Sequence, residues 1–226
     1  MNRVLQMLEL QQELNDATNG LNWENGITKN GKKIDWRRCI YLEAGELIDS
    51  YPWKHWKSID ASPDYANIKI EIVDIWHFVM SEVLRIYKIE NLGSIENIAT
   101  MISQMEGFDS FQSEEKNKNE LDNYEQIELV EELIKTLFCK QDINILIVSF
   151  FNMSSNLNLK LPELYKLYIG KNILNKFRQN NGYKEGSYIK IWNGQEDNVV
   201  MQNILEKRSD ITPNELYQAL EEVYPK

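Results

Sequence analysis

Two pairs of carboxylates are set into apolar helical stretches, and no other feature of this sequence restricts its fold so strongly. Glu43 and Glu46 stand three residues apart among Ile40, Leu42, Ala44, Leu47 and Ile48. Glu71 and Asp74 repeat the spacing among Ile68, Ile70, Ile72, Val73, Ile75, Trp76 and Phe78. Residues three apart share one face of an α-helix, so each pair is a narrow acidic stripe. Like charges on one face repel, and apolar neighbours add a desolvation cost. Bringing the stripes together in a helical hairpin therefore calls for a hard dication, since carboxylate oxygens are what magnesium and calcium prefer. On the pattern alone, two ordinary solvated faces remain the alternative. Gly45, between the glutamates, weakens a helix by about 1 kcal/mol relative to Ala, and a close helix approach would account for it. Glu71-x-x-Asp74-x-x-His77 hints at the spacing of di-iron bundles, but these carry the motif on two helices. The chain has only one other histidine, His55, in a tryptophan-rich turn. His77 thus reads as a supporting residue rather than a ligand.

Helical periodicity runs through the rest of the chain, and no strand pattern is convincing. The expected fold is all-α, a helical bundle with no significant sheet. Helices are expected over about 3–16, 36–49 with Asp35 as N-cap, and from Ser62 and Pro63 to Tyr87 or beyond. Others are expected near 95–105, 124–139, 142–158, 162–179, 196–207 and 212–224, the last opened by a capping box at Thr212 and Glu215. A loop rich in Asn and Gly covers 19–31, and a turn-rich segment covers about 180–198. With 226 residues and no second boundary in view, one domain over 1–226 is expected, with metal-site helices at about 36–88 and a nucleotide-closing segment at about 163–198.

No stretch approaches the roughly 18 apolar residues of a membrane span, and the first residues, MNRVLQMLELQQEL, lack the apolar core of a signal peptide. Cys39 and Cys139 have neither metal nor redox spacing, so a reducing, cytoplasmic setting is expected. A net charge of −10 argues against general nucleic-acid affinity. The charge is uneven: residues 106–132 carry ten acids against Lys116 and Lys118, whereas residues 166–190 carry six bases against Glu185. In that basic stretch Lys171, Asn175 and Arg178 share a helix face, followed by Asn181, Tyr183, Lys184 and Lys190 among glycines. Such groups suit a polyphosphate, although basic faces are also common as plain surface. An acidic metal cluster with a basic clamp is a coherent constellation for phosphoryl chemistry. Gln11 and Asn15, four apart on the first helix, could read the polar edge of a base or form an exposed face. Trp23, Trp53 and Trp56 fall in loops, to cover a base or sugar or to pack over the bundle.

Taken together, LQQELN, GLNWENG, WRRCIYLEAGELIDSYPWKHW, KIEIVDIWHF, YIGKNILNKFRQNNGYKEGSY and WNGQEDN resemble the dimeric, all-α dUTPases, relatives of the MazG-like nucleotide pyrophosphatases. The acidic pairs mark only the broad superfamily. The KNxLNxxRQxNGYKxGxY segment is specific to the dUTPase branch, and residues 90–160 match less distinctively. The resemblance implies a homodimer hydrolysing dUTP, and dUDP as well, with two or three magnesium ions held by Glu43, Glu46, Glu71 and Asp74. It implies uracil recognition by Gln11 and Asn15, with Trp23 and Trp53 near the base or sugar. It assigns Lys171, Asn175, Arg178, Asn181, Tyr183 and Lys190 to nucleotide and phosphates. Attack at the β-phosphorus, by a water that Glu43 is expected to orient, follows from the same resemblance. A related pyrophosphatase of different base preference, such as one for dCTP, and a non-enzymatic helical binding module are the alternatives.

Overall fold

A computed structural model of the chain describes residues 2–57, 60–115, 121–139, 142–208 and 210–225. Lys116 and Lys118, the two bases of the acidic run, lie outside the described residues. Among the described residues there are ten α-helices and one two-stranded ladder, so the all-α expectation holds. No described helix is long and apolar enough to cross a membrane. The contacts divide the chain into two compact units, 1–164 and 165–226.

In the first unit, α1 (Arg3–Asn19) is capped by the Asn2 side chain, which accepts from the Val4 amide at 3.0 Å. It ends at Gly20, whose φ of 92° suits glycine and where a Cβ would lie 2.8 Å from Lys29. A short 3-10 turn (Trp23–Asn25) leads towards α2 (Trp36–Asp49), which Asp35 caps as expected by accepting from the Arg38 amide. The next helix, α3 (Tyr65–Ile89), starts later than its sequence suggests. Asp64, not Ser62, is the cap, accepting from the Asn67 amide at 3.0 Å. The choice is made by tertiary contacts: the Asp64 amide donates to the Ser50 carbonyl at 2.9 Å, and Asn67 donates to the Ser50 hydroxyl at 2.8 Å. A carboxylate accepting from amides at a helix N-terminus also gains from the helix dipole.

Ser50 meets Asn67 at one end of the α2–α3 pair, while Arg37 meets Glu82 at the other, so the two helices run antiparallel. Glu82 is buried and receives Arg37 Nε at 3.1 Å and Arg85 Nε at 2.8 Å. Arg37 Nη1 also donates to the Leu137 carbonyl at 3.3 Å, tying in α6 (Asn123–Cys139). Arg85 shares α3 with Glu82, so a slide of α2 by one helical turn would cost the buried carboxylate its Arg37 partner, and this pair favours the register that brings the acidic pairs together. Around α3 lie α4 (Ile95–Ser103), α5 (Phe108–Gln112) and α7 (Ile143–Asn156). Trp76 stacks on Phe150 at 4.7 Å and Phe111 on Phe151 at 4.6 Å. The apolar residues Leu146, Ile147, Phe150 and Phe151 of α7 are spent on this core.

Gly45 departs from expectation. It is exposed, and a Cβ added there meets none of the described residues within 4 Å, so no close approach by a described helix of the same chain explains it. Gly45→Ala is therefore expected to stabilise α2 by up to about 1 kcal/mol. In a chain of this size that raises Tm by about 2–4 °C, and calorimetry showing a lower Tm would contradict it.

In the second unit, α8 (Leu161–Asn180), whose first turn belongs to the larger unit, is followed by β1 (Ile191–Trp192) and β2 (Gln195–Glu196) in an antiparallel hairpin. Then come α9 (Asp197–Lys207) and α10 (Pro213–Val223). At Gly170 the packing of α9 is close enough that a Cβ would lie 2.6 Å from Leu205 and 2.7 Å from Met201. Phe177, Tyr188, Trp192, Tyr217 and Tyr224 form an aromatic core, with Tyr188 stacked on Tyr224 at 5.4 Å. The Thr212–Glu215 capping box is present as expected.

Candidate active site

The antiparallel register sets Glu43 and Glu46 of α2 against Glu71 of α3. One carboxylate oxygen from each lies within 4.8 Å of the others, and Asp74 is close enough for its charge to act on Glu43. Glu71 is only 6% exposed, Glu43 and Asp74 are half-buried, and Glu46 opens to solvent. Burial first, then the charges of Asp74, Glu71 and Glu46, push the Glu43 carboxyl up from 4.5 to about 8. Left to itself, the cluster therefore keeps a proton at neutral pH. A set of oxygen donors under such strain fits a hard dication, which favours the ionised form of every member.

Gln11 and Asn15 are buried rather than exposed, and they face Ser81 and His77 of α3. Gln11 Nε2 and Asn15 Nδ2 each donate to Ser81 Oγ at 3.0 Å, and Gln11 Nε2 also reaches Asn15 Oδ1 at 3.2 Å. Ser81 Oγ donates to the His77 carbonyl at 2.8 Å, using its one proton while its oxygen accepts both amides. His77 Nδ1 lies 2.6 Å from Gln11 Oε1 and so donates to it when the amide is oriented this way. His77 is thus a support for Gln11, in line with its supporting role in the sequence. Ser81 went unnoticed there; its only signal was its position four residues after His77, on the same helix face.

The tryptophans divide. Trp23 is fully buried, donates Nε1 to Asp16 at 3.0 Å and packs edge-on against Trp36 at 5.6 Å. It offers the loop a wall rather than an open ring. Trp53 is half-buried after Pro52, with exposed Trp56 edge-on at 5.6 Å and Lys54 5.6 Å from its ring. Beside them Lys54 pairs with Asp49, and a cleft of about 760 Å³ extends from Glu46 past Asp49, Tyr51 and Asn67.

In the smaller unit, Lys171, Asn175 and Arg178 lie along α8 as their spacing requires. Lys171 Nζ donates to Asn198 Oδ1 at 2.9 Å, and Arg178 Nη1 donates to Asn175 Oδ1 at 3.1 Å. Asp197, fully buried, grips Arg178 through two bonds of 2.8 Å and accepts from the Tyr188 hydroxyl at 2.7 Å. Burial alone would raise the Asp197 carboxyl, but the bonds and charge of Arg178, with Tyr188 and Lys171, hold it below its usual range. Asn181 turns its amide back onto the Phe177 carbonyl, closing α8. Tyr183 is exposed beneath the Arg178 guanidinium, 5.8 Å from its ring, and Lys190 pairs with Glu196 at 3.5 Å. The segment 180–198 thus has anchors of its own at Tyr188, Trp192 and Asp197. Asp197 and Asn198 close the quoted WNGQEDN stretch, but spacing alone gave them no role, because their partners on α8 lie 19 to 27 residues away.

The sequence pattern of a protein family described as dUTPase matches residues 3–183. That span includes both acidic pairs, the Gln11–Asn15 pair and the basic face as far as Tyr183. The chain belongs to the all-α dUTPase family. No curated protein matches it. As a member of this family it is an enzyme, a dUTP diphosphatase. Residues 184–226, which carry Lys190, Asp197 and Asn198, lie beyond the matched span.

Proposed function

We propose that the chain hydrolyses dUTP to dUMP and pyrophosphate, and dUDP as well, in a magnesium-dependent reaction in the cytoplasm. The observation that carries this reading is the cluster of Glu43, Glu46 and Glu71, too strained to ionise fully without a cation. These three and Asp74 are the residues assigned to two or three magnesium ions. Bound there, magnesium supplies positive charge against the carboxylates and the phosphate chain. Glu43, ionised in that field, orients a water and accepts its proton as the oxygen bonds to the β-phosphorus. The bond from that phosphorus to the oxygen bridging the α-phosphate breaks, and dUMP leaves with the bridging oxygen. Gln11 and Asn15 read the uracil edge, Trp23 walls the base site and Trp53 borders it. Lys171, Asn175, Arg178, Asn181, Tyr183 and Lys190 are assigned to nucleotide and phosphates. The test is pyrophosphate or phosphate release from dUTP, dUDP, dCTP and dTTP, with magnesium and with chelator. Activity on dUTP that survives chelation would overturn the metal reading, and a preference for dCTP would overturn the base assignment.

The same reading makes the enzyme a homodimer. With α7 spent on its own core, the surface assigned to the second copy is the apolar outer face of α2 and α6. There Leu42 is 56% and Phe138 70% exposed, with Tyr41 edge-on to Phe138. Light scattering at micromolar concentration is expected to give twice the chain mass of 26.7 kDa. A mass of one chain would contradict it.

A further inference from the structure

The first helix carries two amide-led pairs, one residue out of step. Gln11 Nε2 reaches Asn15 Oδ1 at 3.2 Å, and Gln12 Nε2 donates to Asp16 Oδ1 at 3.0 Å. One residue is a step of about 100° around an α-helix, so the two pairs lie on adjoining faces of α1. The first face is held by α3, through Ser81 and His77. The second is held by the turn that follows α1. Trp23 Nε1 donates to the same Asp16 Oδ1 at 3.0 Å, and the other proton of Gln12 Nε2 goes to Glu24 Oε1 at 3.2 Å. Gln12, Asp16, Trp23 and Glu24 thus close a ring. Two consecutive residues of the turn, Trp23 with no exposed surface and Glu24 with 8%, are tied to one face of α1. Asp16 also stands against local preference. It lies in the last turn of α1, where the negative end of the helix dipole disfavours a carboxylate.

We propose that Asp16 is a positioning residue for base selection: with Gln12 it locks the roll of α1, so that Gln11 and Asn15 present their amides at one angle. A helix held on one face alone can roll about its own axis. An α-helix with its side chains is about 10–12 Å across, so a roll of about 10° carries a side-chain amide by about 1 Å. That is enough to spoil the alignment on which a hydrogen bond depends. A second anchor on the adjoining face blocks the motion, because a roll that relaxes one face pulls on the other. Asp16 does this without touching the substrate. Its role in selection rests on the reading of Gln11 and Asn15 as the base contacts.

The test compares Asp16→Ala, Asp16→Asn, Gln12→Ala and the double alanine variant, with dUTP and dCTP as substrates in the presence of magnesium. The side-chain amide NMR signals of Gln11 and Asn15 give a second readout that needs no substrate. Asp16→Ala is expected to move those signals and to cut the preference for dUTP over dCTP by about tenfold, through KM more than kcat. Asp16→Asn keeps an oxygen to accept from Trp23 and Gln12, and should bring both readouts back towards the parent. Gln12→Ala should act in the same direction by a smaller factor. Either cut opens the same ring, so the double variant should lose no more than Asp16→Ala alone, whereas independent contacts would multiply their losses. A merely structural aspartate would lower Tm and reduce kcat/KM for both substrates by one common factor. That result, multiplied losses, or amide signals unmoved by Asp16→Ala would each overturn the proposal. If the parent shows no preference for dUTP, the base reading falls, while shifted amide signals that Asp16→Asn restores keep the lock. If the parent prefers dUTP and Asp16→Ala retains that preference, the lock falls alone.

Discussion

Glu46→Gln protein is expected to fold like the parent yet lose about 10²–10³-fold in kcat for dUTP with magnesium, the usual effect of removing one electrostatic stabiliser of a reacting phosphate. Asp74→Asn should do the same. Glu46 is open to solvent, so its amide introduces neither a cavity nor a buried unpaired group, and any loss must come from the charge. Glu46 is also one of the groups that raise Glu43, which gives the stability a definite sign. A carboxyl whose folded pKa stands at about 8, against 4.5 for the ordinary group, keeps its proton in the fold after the unfolded chain has released it. Stability without metal therefore falls as pH rises from about 4.5 to about 8, and the loss is complete above that. Removing the Glu46 charge lowers Glu43 and shrinks that window, so the metal-free variant should be no less stable than the parent at pH 7–8. Magnesium acts in the other direction. At a hundredfold excess over its Kd it adds about 2.7 kcal/mol to the parent, a rise in Tm of about 5–10 °C in a chain this size. The variant should show little of that rise. Folded Glu46→Gln and Asp74→Asn proteins with parental turnover would remove these carboxylates from the reaction.

How far the acidic cluster could be read from sequence differs between its two helices. On α3 the apolar surroundings of Glu71 are real: Ile70, Ile72, Val73 and Ile75 are all at most 1% exposed. On α2 the same kind of pattern was less informative, because Tyr41, Leu42 and Gly45 turn outward and only Ile40, Ala44 and Leu47 are buried. Apolar letters around a carboxylate show burial only when the neighbours are buried too. The start of α3 shows a second limit. Ser62-Pro63 has the form of a cap and first turn, but the Ser50 carbonyl and hydroxyl, bonded to Asp64 and Asn67, reward a start at Asp64 through contacts across 14 and 17 residues that no local pattern contains.

Features whose partners lie within one turn of helix were legible: the Asp35 cap, the Thr212–Glu215 box and the shared face of Lys171, Asn175 and Arg178. Features made by distant chain segments were not. Gln11 and Asn15 stood out as amides on a partly apolar helix, yet their supports, His77 and Ser81, are more than 60 residues away. Asp197 reaches Arg178 across 19 residues, through a hairpin that no strand pattern had announced. Trp23 reads equally well as a lid or as a wall until Asp16 and Trp36 are seen against it.

The amide pair carries the second large effect. Asn15→Ala is expected to lower kcat/KM for dUTP by about 10–100-fold, since a buried polar group left without its partner costs about 1–3 kcal/mol. The loss should be selective. A site that hydrogen-bonds the edge of uracil rejects cytosine because the N3–H donor and O4 acceptor of uracil become an N3 acceptor and an N4 amino donor, and removing one amide weakens that rejection along with binding. The preference for dUTP over dCTP should therefore shrink in Asn15→Ala and in Gln11→Ala. Ser81→Ala offers a separate handle. The hydroxyl is fully buried and accepts from both amides at 3.0 Å, so its removal takes one hydrogen bond from each side chain while His77 still holds Gln11. That loosened pair should lose base preference in the same direction as the alanine variants, by a smaller factor, without touching the carboxylates of α2. Measuring kcat/KM for dUTP, dCTP and dTTP in the three variants decides the matter: unchanged preferences in both Asn15→Ala and Gln11→Ala would mean that the base is read by other residues.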